Sequence, residues 1–499
     1  MLSKRKTNTS RNKSQREQGP KTSISQRSKS ANVQLCCNSP SIVPEKGALK
    51  VPQSLSLKEF KMKSRILSCI AAMGLLLAVT PLAAQEWNNN PPPKFYVFNL
   101  GAPGGGTVAM AASINNLGWA AGDAYQTGNT SEHAELWVGN PFDLGTLGGP
   151  NSAVGWPNKN DRGEIAGISE TGETNPLKED WSCALANFPT ITNQICLGFA
   201  WQDGVMSPLP PLPGGLDSYA AAANNHGQVV GWAENGIHDP TCNIPQVLQF
   251  EAVIWGPKSG EVIQLHPLPP DPDSAATAIN DKGQVVGISG LCSNAVGGAS
   301  AMHAVLWENG TPMNLGNFDG GMAWNTPTAI NNRGQVVGFA NLPNTPAGEF
   351  NPVAFLWTRE HHIQEIRPIG IDANNIAWGM NDNEQVVGDS CTDNTFSNCR
   401  AFLWQNGSAI DLNTLIPSGS FLHLILANDI NDHGEIVGYA VDASNGETVA
   451  FLAVPVFDGS GFASQYSQAV GITDSRNFVV PETIRQQLLR RLGVDLTRQ

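Results

Sequence analysis

The sequence predicts an all-β protein, specifically a seven-bladed β-propeller with four short antiparallel strands in each blade. Three observations lead to this prediction. The 499 residues are 41% hydrophobic and only 15% charged, with 51 Gly and 34 Pro, which is typical of a packed chain with many turns. One pattern recurs seven times, as in repeat architectures. The last copy lacks a segment that stands instead before the first copy.

Each copy opens with a turn of Asn, two further residues and, in six copies, Gly. A short apolar run that ends in Gly follows it. Asn and Gly favour tight turns because Asn bonds its own backbone and both tolerate positive φ. The turns are spaced by 45, 64, 56, 51, 50 and 50 residues, and they begin at Asn115, Asn160, Asn224, Asn280, Asn331, Asn381 and Asn431.

Two more segments complete each unit. A short apolar segment ends in Trp in six copies, as in Ala304–Trp307, and a Leu-Gly segment follows it, as in Asn314–Gly321. In the fourth copy this order predicts strands at 275–279, 284–289, 304–308 and 312–315. Four short strands per repeat are typical of propeller blades.

The ends of the chain predict how the ring closes. The seventh copy stops near Val454–Phe457, and its missing Leu-Gly segment appears as Phe98–Gly105. We therefore expect the N-terminal strand to complete the last blade, since that pairing removes open sheet edges. The first strands are also rich in small residues, such as Ala221–Ala223, which suits strands crowded around a central axis.

These segments resemble the HAF family of bacterial extracellular repeats, whose consensus joins Ile-Asn-x-x-Gly-x-Val-Val-Gly to His-Ala-Phe-Leu-Trp and Asp-Leu-Gly-Thr-Leu-Gly-Gly. The resemblance covers about residues 95–457. It implies an exported bacterial repeat protein, with no established activity and no catalytic residues to carry over. The consensus His is present in two copies and replaced in five; these positions are His133, Leu197, Glu251, Arg400, His303, Val353 and Val449.

The N-terminal region predicts export. Lys63 and Arg65 precede the apolar run Ile66–Val79, and Ala83-Ala84 precede Gln85, as in a signal peptide. We interpret residues 1–61 as a basic head upstream of the true start at Met62, 62–84 as the signal and 85–94 as a linker. If Met1 is the start, 66–84 becomes a signal anchor instead. We expect a secreted or periplasmic monomer, with no membrane insertion once the signal is cleaved.

Charge and cysteine content agree with export. The segment from Met1 to Arg65 carries 15 Lys/Arg against 3 Asp/Glu, whereas the remainder carries 15 against 40. A body so acidic argues against nucleic acid as a partner. The six cysteines that follow the signal are all expected in the loops between second and third strands. The repeat register predicts three disulfides among them, which are expected in exported proteins; they join Cys183 to Cys196, Cys242 to Cys292, and Cys391 to Cys399.

Motifs for catalysis are missing from the sequence, which contains no Gly-x-Ser-x-Gly, His-Glu-x-x-His or phosphate-binding Gly-rich loop. Asn158–Gly163 and Asp372–Asn374 weakly resemble calcium loops but lack the downstream Glu. We interpret them as turns and expect no cofactor, although calcium remains an alternative. The strand-end Trp residues are expected to pack between blades, and His361-His362 to occupy a solvated turn.

The loops between second and third strands differ most among the copies. They are longer in copies two to five than in copies one, six and seven, and longest in copy two. Blades two to five should therefore raise a rim on one face, where binding residues concentrate. We predict a non-catalytic binding module for a glycan or extracellular protein. The alternative is a polysaccharide hydrolase or lyase with carboxylates at the channel mouth. The candidate rim residues are Asp180, Trp181, His238, Asp239 and Asn243.

The tail, residues 458–499, contains one predicted helix. Pro481 and Glu482 make a good helix start and Gly493 can end it. Ile484, Leu488 and Leu492 lie at i, i+4 and i+8, on one face. We expect this stripe to dock on its own domain, with a partner or membrane surface as the alternatives.

Overall fold

Strands dominate the part of the chain that the structure describes. The computed structural model describes residues 92–179, 181–186, 188–292, 302–318, 325–343, 345–346 and 349–456, and Arg485. The expected basic head, signal, most of the linker and all of the tail but Arg485 lie outside these residues. Among those described, no helix is both long and apolar enough to cross a membrane.

The described strands follow the sequence repeats. The first strand, β1 (Lys94–Gly101), precedes the first repeat. Repeats one to three contain β2 (Gly105–Ile114), β3 (Ala120–Gln126), β4 (Glu132–Val138) and β5 (Asn140–Asp143); β6 (Ser152–Ala153), β7 (Ile165–Thr174), β8 (Gln194–Gln202) and β9 (Val205–Leu209); and β10 (Gly214–Ala223), β11 (Val229–His238), β12 (Leu248–Trp255) and β13 (Val262–Leu265).

The later repeats have the same order of strands. Repeats four to seven contain β14 (Asp273–Ile279), β15 (Val285–Gly290), β16 (His303–Glu308) and β17 (Thr311–Asn314); β18 (Asn325–Ile330), β19 (Val336–Asn341), β20 (Pro352–Thr358) and β21 (His362–Ile366); β22 (Asn374–Met380), β23 (Val386–Cys391), β24 (Cys399–Gln405) and β25 (Ser408–Asp411); and β26 (Leu422–Ile430), β27 (Ile436–Asp442) and β28 (Thr448–Val456). The described residues also include a short helix, α1 (Trp181–Leu185), and a 3-10 turn, Leu412–Thr414.

Repeats two to six each form a separate four-stranded antiparallel sheet. The first and seventh repeats share one eight-stranded sheet, because Val108 of β2 pairs with Thr448 of β28 in parallel. Strand β1 pairs antiparallel with β28 from Lys94–Val456 to Gly101–Ala450. The N-terminal strand therefore supplies the fourth strand of the seventh repeat, as the sequence predicts.

The glycine that ends each second-strand run is required by close packing. A Cβ added at Gly122 would lie 1.9 Å from the carbonyl oxygen of Met110 on the first strand, and at Gly287 2.0 Å from that of Ala275. The pairing register shifts beside these contacts, between Ala111 and Ser113 in the first case. A bulge brings the two backbones together there, so only glycine fits.

The core lies between neighbouring sheets. The Trp residues that end the third strands are buried in repeats one to five, as expected, and Trp404 of repeat six is partly buried. Trp307 packs with Ala222 and Val230 of the preceding repeat, and its indole N–H donates to the His266 carbonyl at 2.8 Å. Trp307 is therefore buried among apolar side chains while its indole N–H keeps a hydrogen-bond partner.

Because the strands of each repeat are antiparallel, the connections between them lie at two opposite ends of the sheets. We call the end that carries the Asn turns between first and second strands the turn face. The other end, which carries the second-to-third-strand loops and the connections between repeats, is the loop face.

Candidate functional site

The Asn turns form a closed ring of hydrogen bonds on the turn face. In each turn the Asn Oδ1 accepts backbone N–H groups two and four residues ahead, as Asn280 does from Lys282 and Gln284 at 3.0 Å each. Its Nδ2 donates to the carbonyl of the Asn in the next repeat at 2.7–3.3 Å. The last bond of the series, from Asn431 to the carbonyl of Asn115, returns to the first repeat.

A second ring is formed by the residues that follow these Asn. The backbone N–H of each donates to the side-chain oxygen of the corresponding residue in the next repeat at 2.7–2.9 Å. This mouth ring consists of Asn116, Asp161, Asn225, Asp281, Asn332, Asp382 and Asp432. With other residues it lines an opening of about 460 Å³, part of which is open to solvent.

Lys159 enters the same opening from a position where five other repeats carry Ile or Met. Its Nζ lies 2.5 Å from Asp429 Oδ1 and 2.7 Å from the Ile430 carbonyl. Burial raises the pKa of Asp429, and Lys159 counteracts that rise. Since Lys159 is paired with Asp429, the four carboxyl groups of the mouth ring leave the turn-face opening acidic. Asn158–Gly163 therefore forms a ring turn, as interpreted from the sequence.

On the loop face, the structure describes three of the five candidate rim residues fully. Asp180 and the side chain of Trp181 lie outside the described residues, although the Trp181 backbone begins α1. His238 and Asn243 are exposed, but His238 ends β11 and pairs with Leu248, so only Asn243 lies in the loop of the third repeat. Asp239 is buried, so the expectation that it faces solvent is wrong.

Asp239 is buried because it supports its own loop. Its Oδ1 accepts the Thr241 N–H at 2.7 Å, and its carboxyl group bonds to that of Asp273. Burial and then Asp239 raise the pKa of Asp273 to about 9. Burial also raises the pKa of Asp239, but bonds from Asp273 and Thr241 outweigh it, and the net pKa is lowered. The two carboxyl groups share a proton between the third and fourth repeats.

Three more acidic residues lie where the strands meet these loops. Glu179 accepts the N–H groups of Val247 and Leu248 at 2.9 and 2.6 Å, and Glu234 accepts that of Asp217 at 2.9 Å. Burial and then the charge of Glu179 raise the pKa of Glu234 to about 7. Glu179, Asp217 and Glu234 are all buried, so these groups fix backbone at the strand ends that border the loops and do not face solvent.

Apolar side chains are also exposed on these loops and on the strand ends beside them. Ile191 in the second repeat is 76% exposed, and Ile237 and Ile244 in the third are 59% and 93% exposed. Leu291 and Met302 of the fourth repeat are also partly exposed. Our sequence reasoning looked for polar and aromatic residues and missed these, although Ile244 between Asn243 and Pro245 in a loop was the available signal.

Disulfides hold the same loops. Cys183 bonds to Cys196, Cys242 to Cys292 and Cys391 to Cys399, which are the three expected pairs. The second joins the loops of the third and fourth repeats. The sequence placed all six cysteines in loops, but Cys196, Cys391 and Cys399 lie in β8, β23 and β24, because these hairpins extend further than the apolar pattern indicates.

Two clusters of side chains contain residue types that are found in catalytic or metal-binding sites, but the contacts within each cluster indicate a structural role. Ser289 Oγ and His303 Nδ1 both bond to Asp271 Oδ2, at 2.7 and 2.8 Å. A nucleophilic triad needs the His between Ser and Asp, and here Asp271 is the bridging residue. Among the described residues, the group with metal-ligand spacing is Asp389, Cys391 and Cys399, whose two sulfurs form a disulfide.

Comparisons with known proteins give weak structural resemblances. No protein-family model and no curated protein matches the chain. An oligogalacturonate lyase in complex with manganese is similar, with a TM-score of 0.43 and 11% identity over 73% of this chain and 97% of that one. A sialidase of Trypanosoma rangeli in complex with sialic acid has a TM-score of 0.31 and 10% identity, over 69% and 60% of the two chains. At these values neither resemblance carries an activity over to this chain.

Proposed function

We propose that the chain is a seven-bladed β-propeller that acts as a non-catalytic binding module through the loop face of repeats two to five. The ring of seven Asn bonds supports the blade count. Each bond joins one repeat to the next, and the bond from Asn431 to Asn115 joins the last to the first. An open solenoid would leave that bond unmade.

The observation that carries the binding function is the pairing of exposed isoleucines with fixed loops. Ile191 and Ile244 stand on loops and Ile237 on the end of β11 beside the second loop, and disulfides and buried carboxyl groups hold this region. Exposed apolar side chains on a rigid scaffold are typical of interaction surfaces. Their rigidity lowers the entropy lost on binding.

An extracellular protein is the favoured ligand class. Protein interfaces take apolar side chains at their centre, whereas sugar sites use exposed aromatic platforms. The strand-end Trp residues of repeats one to five are buried. A glycan is the second ligand class to be tested.

A polysaccharide hydrolase or lyase is the alternative function, and the mouth ring is the observation that favours it. Asp161, Asp281, Asp382 and Asp432 surround an opening that is accessible from solvent. Paired carboxyl groups can serve as general acid and base. This site is on the turn face, so the two functions belong to opposite ends of the molecule.

A panel experiment separates the two functions. Oxidised protein is offered bacterial and plant polysaccharides and a set of purified extracellular proteins, with and without calcium, and both retention and product release are scored. Retention without products supports the binding module. Released sugar products that disappear in an Asp281→Asn/Asp382→Asn variant would instead support the enzyme.

We also propose that the protein is exported. The three disulfides fit an oxidising compartment. N-terminal sequencing of the native protein tests this: a chain that begins near Gln85 supports a cleaved signal, and one that begins at Met1 supports an anchor.

A further inference from the structure

Three buried carboxyl groups connect the second repeat to the third at the loop face. Asp217, on β10, accepts the Cys196 N–H at 2.9 Å with Oδ1 and the Asn175 side-chain amide at 3.1 Å with Oδ2. It therefore contacts the second repeat on both sides of its loop. Glu179, within that loop, accepts the Leu248 N–H at 2.6 Å, where the third-repeat loop ends.

Glu234, on β11, links these two acids. Its Oε2 accepts the Asp217 N–H at 2.9 Å, and its Oε1 accepts from Gln246 Nε2 at 2.8 Å. The same Nε2 lies 3.5 Å from Glu179 Oε1. One Gln amide therefore lies between two carboxyl groups. We call Glu179, Asp217 and Glu234 the carboxyl cluster.

The carboxyl cluster has many acceptors and no paired cation. Within the described part of the chain, no ion pair includes any of its three carboxyl groups. Glu179 Oε2 and Gln246 Oε1 are buried, and no described residue bonds to them. An ionised carboxyl group only accepts hydrogen bonds, whereas a protonated one also donates. A proton therefore adds a donor to a buried network that is short of donors, where unpartnered acceptors are costly.

Burial and mutual repulsion favour the protonated forms of the cluster. Burial and then the charge of Glu234 raise the pKa of Asp217 well above its ordinary value, and burial and then the charge of Glu179 raise the pKa of Glu234 to about 7. Burial also raises the pKa of Glu179, although two backbone hydrogen bonds and the charge of His238 oppose that rise. The stabilisation that these protons give is complete below the ordinary pKa of each group and is lost as the pH rises through about 7.

We propose that the carboxyl cluster is a proton-operated latch, which holds the loops of repeats two and three closed at acidic pH and releases them as the medium becomes alkaline. Loss of the protons leaves negative charges in a buried network without a cation. Their repulsion and desolvation are relieved when Glu179 and residues 246–248 move into water. The latch itself does not depend on the proposed function; only its effect on ligand affinity does.

Hydrogen exchange of the full, oxidised chain at about pH 5 and about pH 8.5 tests the latch. Each rate is divided by the intrinsic rate of an unstructured peptide at the same pH. The reporters are the Val247 and Leu248 amides, which donate to Glu179. We expect their opening to increase at least about tenfold between the two pH values, because the closed loops hold protons that the open loops release.

Two cluster variants and one control assign this increase to the carboxyl groups. Glu234→Gln keeps the size of the side chain and an acceptor but cannot ionise, so it should reduce the increase to about threefold or less. Asp217→Asn should have the same effect and carries the test if Glu234→Gln does not fold. Glu173→Gln, at an exposed position of β7, is the matched control and should keep the full increase. Thermal unfolding at about pH 5 verifies that each variant is folded.

Equal opening at both pH values in the unaltered chain would overturn the proposal, as would the same increase in the folded cluster variants as in Glu173→Gln. A purified extracellular protein retained in the panel gives a separate readout of the proposed function. If the latch opens while the affinity for that protein stays the same, the proposed binding surface is wrong and the latch stands.

Discussion

At the scale of single residues, the Asn of each turn does two tasks with one side chain. Its Oδ1 closes its own turn, and its Nδ2 reaches the next repeat. In the fourth repeat, Asn280 accepts from Lys282 and Gln284 and donates to the Asn331 carbonyl at 2.9 Å. The sequence pattern identified the turn, but the link between repeats depends on spatial neighbours that are a whole repeat apart in the chain.

Replacing Asn280 with Ala should destabilise the protein measurably. The change leaves two backbone N–H groups without their partners, and groups left unpaired in this way cost about 1–3 kcal/mol each at full burial. It also removes the bond to the next repeat, although the Asn331 carbonyl keeps the Gly334 N–H at 2.9 Å. We expect the free energy of unfolding, measured with urea under oxidising conditions, to fall by about 2–4 kcal/mol. Lys282→Ala, an exposed position in the same turn, is the control. Equal effects of the two substitutions would show that the ring contributes nothing.

Glu135 is an ionisable residue at a position where the other repeats carry Phe or Val. It is buried, and burial and then the charge of Asp143 raise its pKa to about 8. The folded state therefore holds a proton that the unfolded state releases near its ordinary, lower pKa. Its contribution to stability is present in full below that lower pKa and is lost as pH rises to about 8.

The pH dependence gives a second prediction at this scale. Glu135→Gln should leave stability at pH 5 nearly unchanged and should raise the free energy of unfolding at pH 8.5 by about 1–3 kcal/mol, because it removes the buried charge. Urea unfolding at the two pH values measures the difference. Glu173→Gln, at an exposed position, serves as control. A variant that is no better than the unaltered protein at pH 8.5 would contradict the assigned pKa.

At the scale of elements, β1 decides whether the last sheet is complete. It covers β28 along its length, and its Phe95 packs with Leu415, Leu424 and Phe451 in the seventh-repeat core. The sequence predicted this strand from a displaced Leu-Gly segment. The depth of Phe95 could not be predicted, because it depends on residues near the opposite end of the chain.

Two phenylalanines of β1 provide a matched test. Phe95 is buried and Phe98 is half exposed. Phe95→Ala should lower the free energy of unfolding by about 3–5 kcal/mol, the range for truncating a buried Phe, while Phe98→Ala should change it by less than about 0.5 kcal/mol. Urea unfolding compares them. If Phe95→Ala were as mild as Phe98→Ala, β1 would not be part of the core.

At the scale of the whole molecule, the seven sequence repeats made the fold predictable. They gave less information about the residues of the binding site. Strand order, turn positions, disulfide partners and the place of β1 all follow from comparing seven copies of one pattern. The rim residues lie in loops where the copies differ, so no internal comparison was available there. Asp239 illustrates this limit: its partner Asp273 belongs to the next repeat, and only the folded chain brings the two carboxyl groups together.

The two faces have different chemistry, which the sequence did not separate. Carboxyl groups line the turn-face opening, while the loop face of repeats two to four exposes Ile, Leu and Met side chains and buries Glu179, Glu234 and Asp239. If the loop face is the binding surface, substitutions on the loop face should weaken binding, and substitutions in the turn-face opening should not.

The most direct test measures the affinity of a ligand retained in the panel for three proteins: the unaltered chain, an Ile237→Ser/Ile244→Ser variant of the loop face and an Asp281→Asn/Asp382→Asn variant of the turn face. We expect the loop-face variant to bind at least about tenfold more weakly, as for residues at the centre of an interface, and the turn-face variant to bind as tightly as the unaltered chain. Loss of binding in the turn-face variant, with the loop-face variant unaffected, would contradict the proposed function.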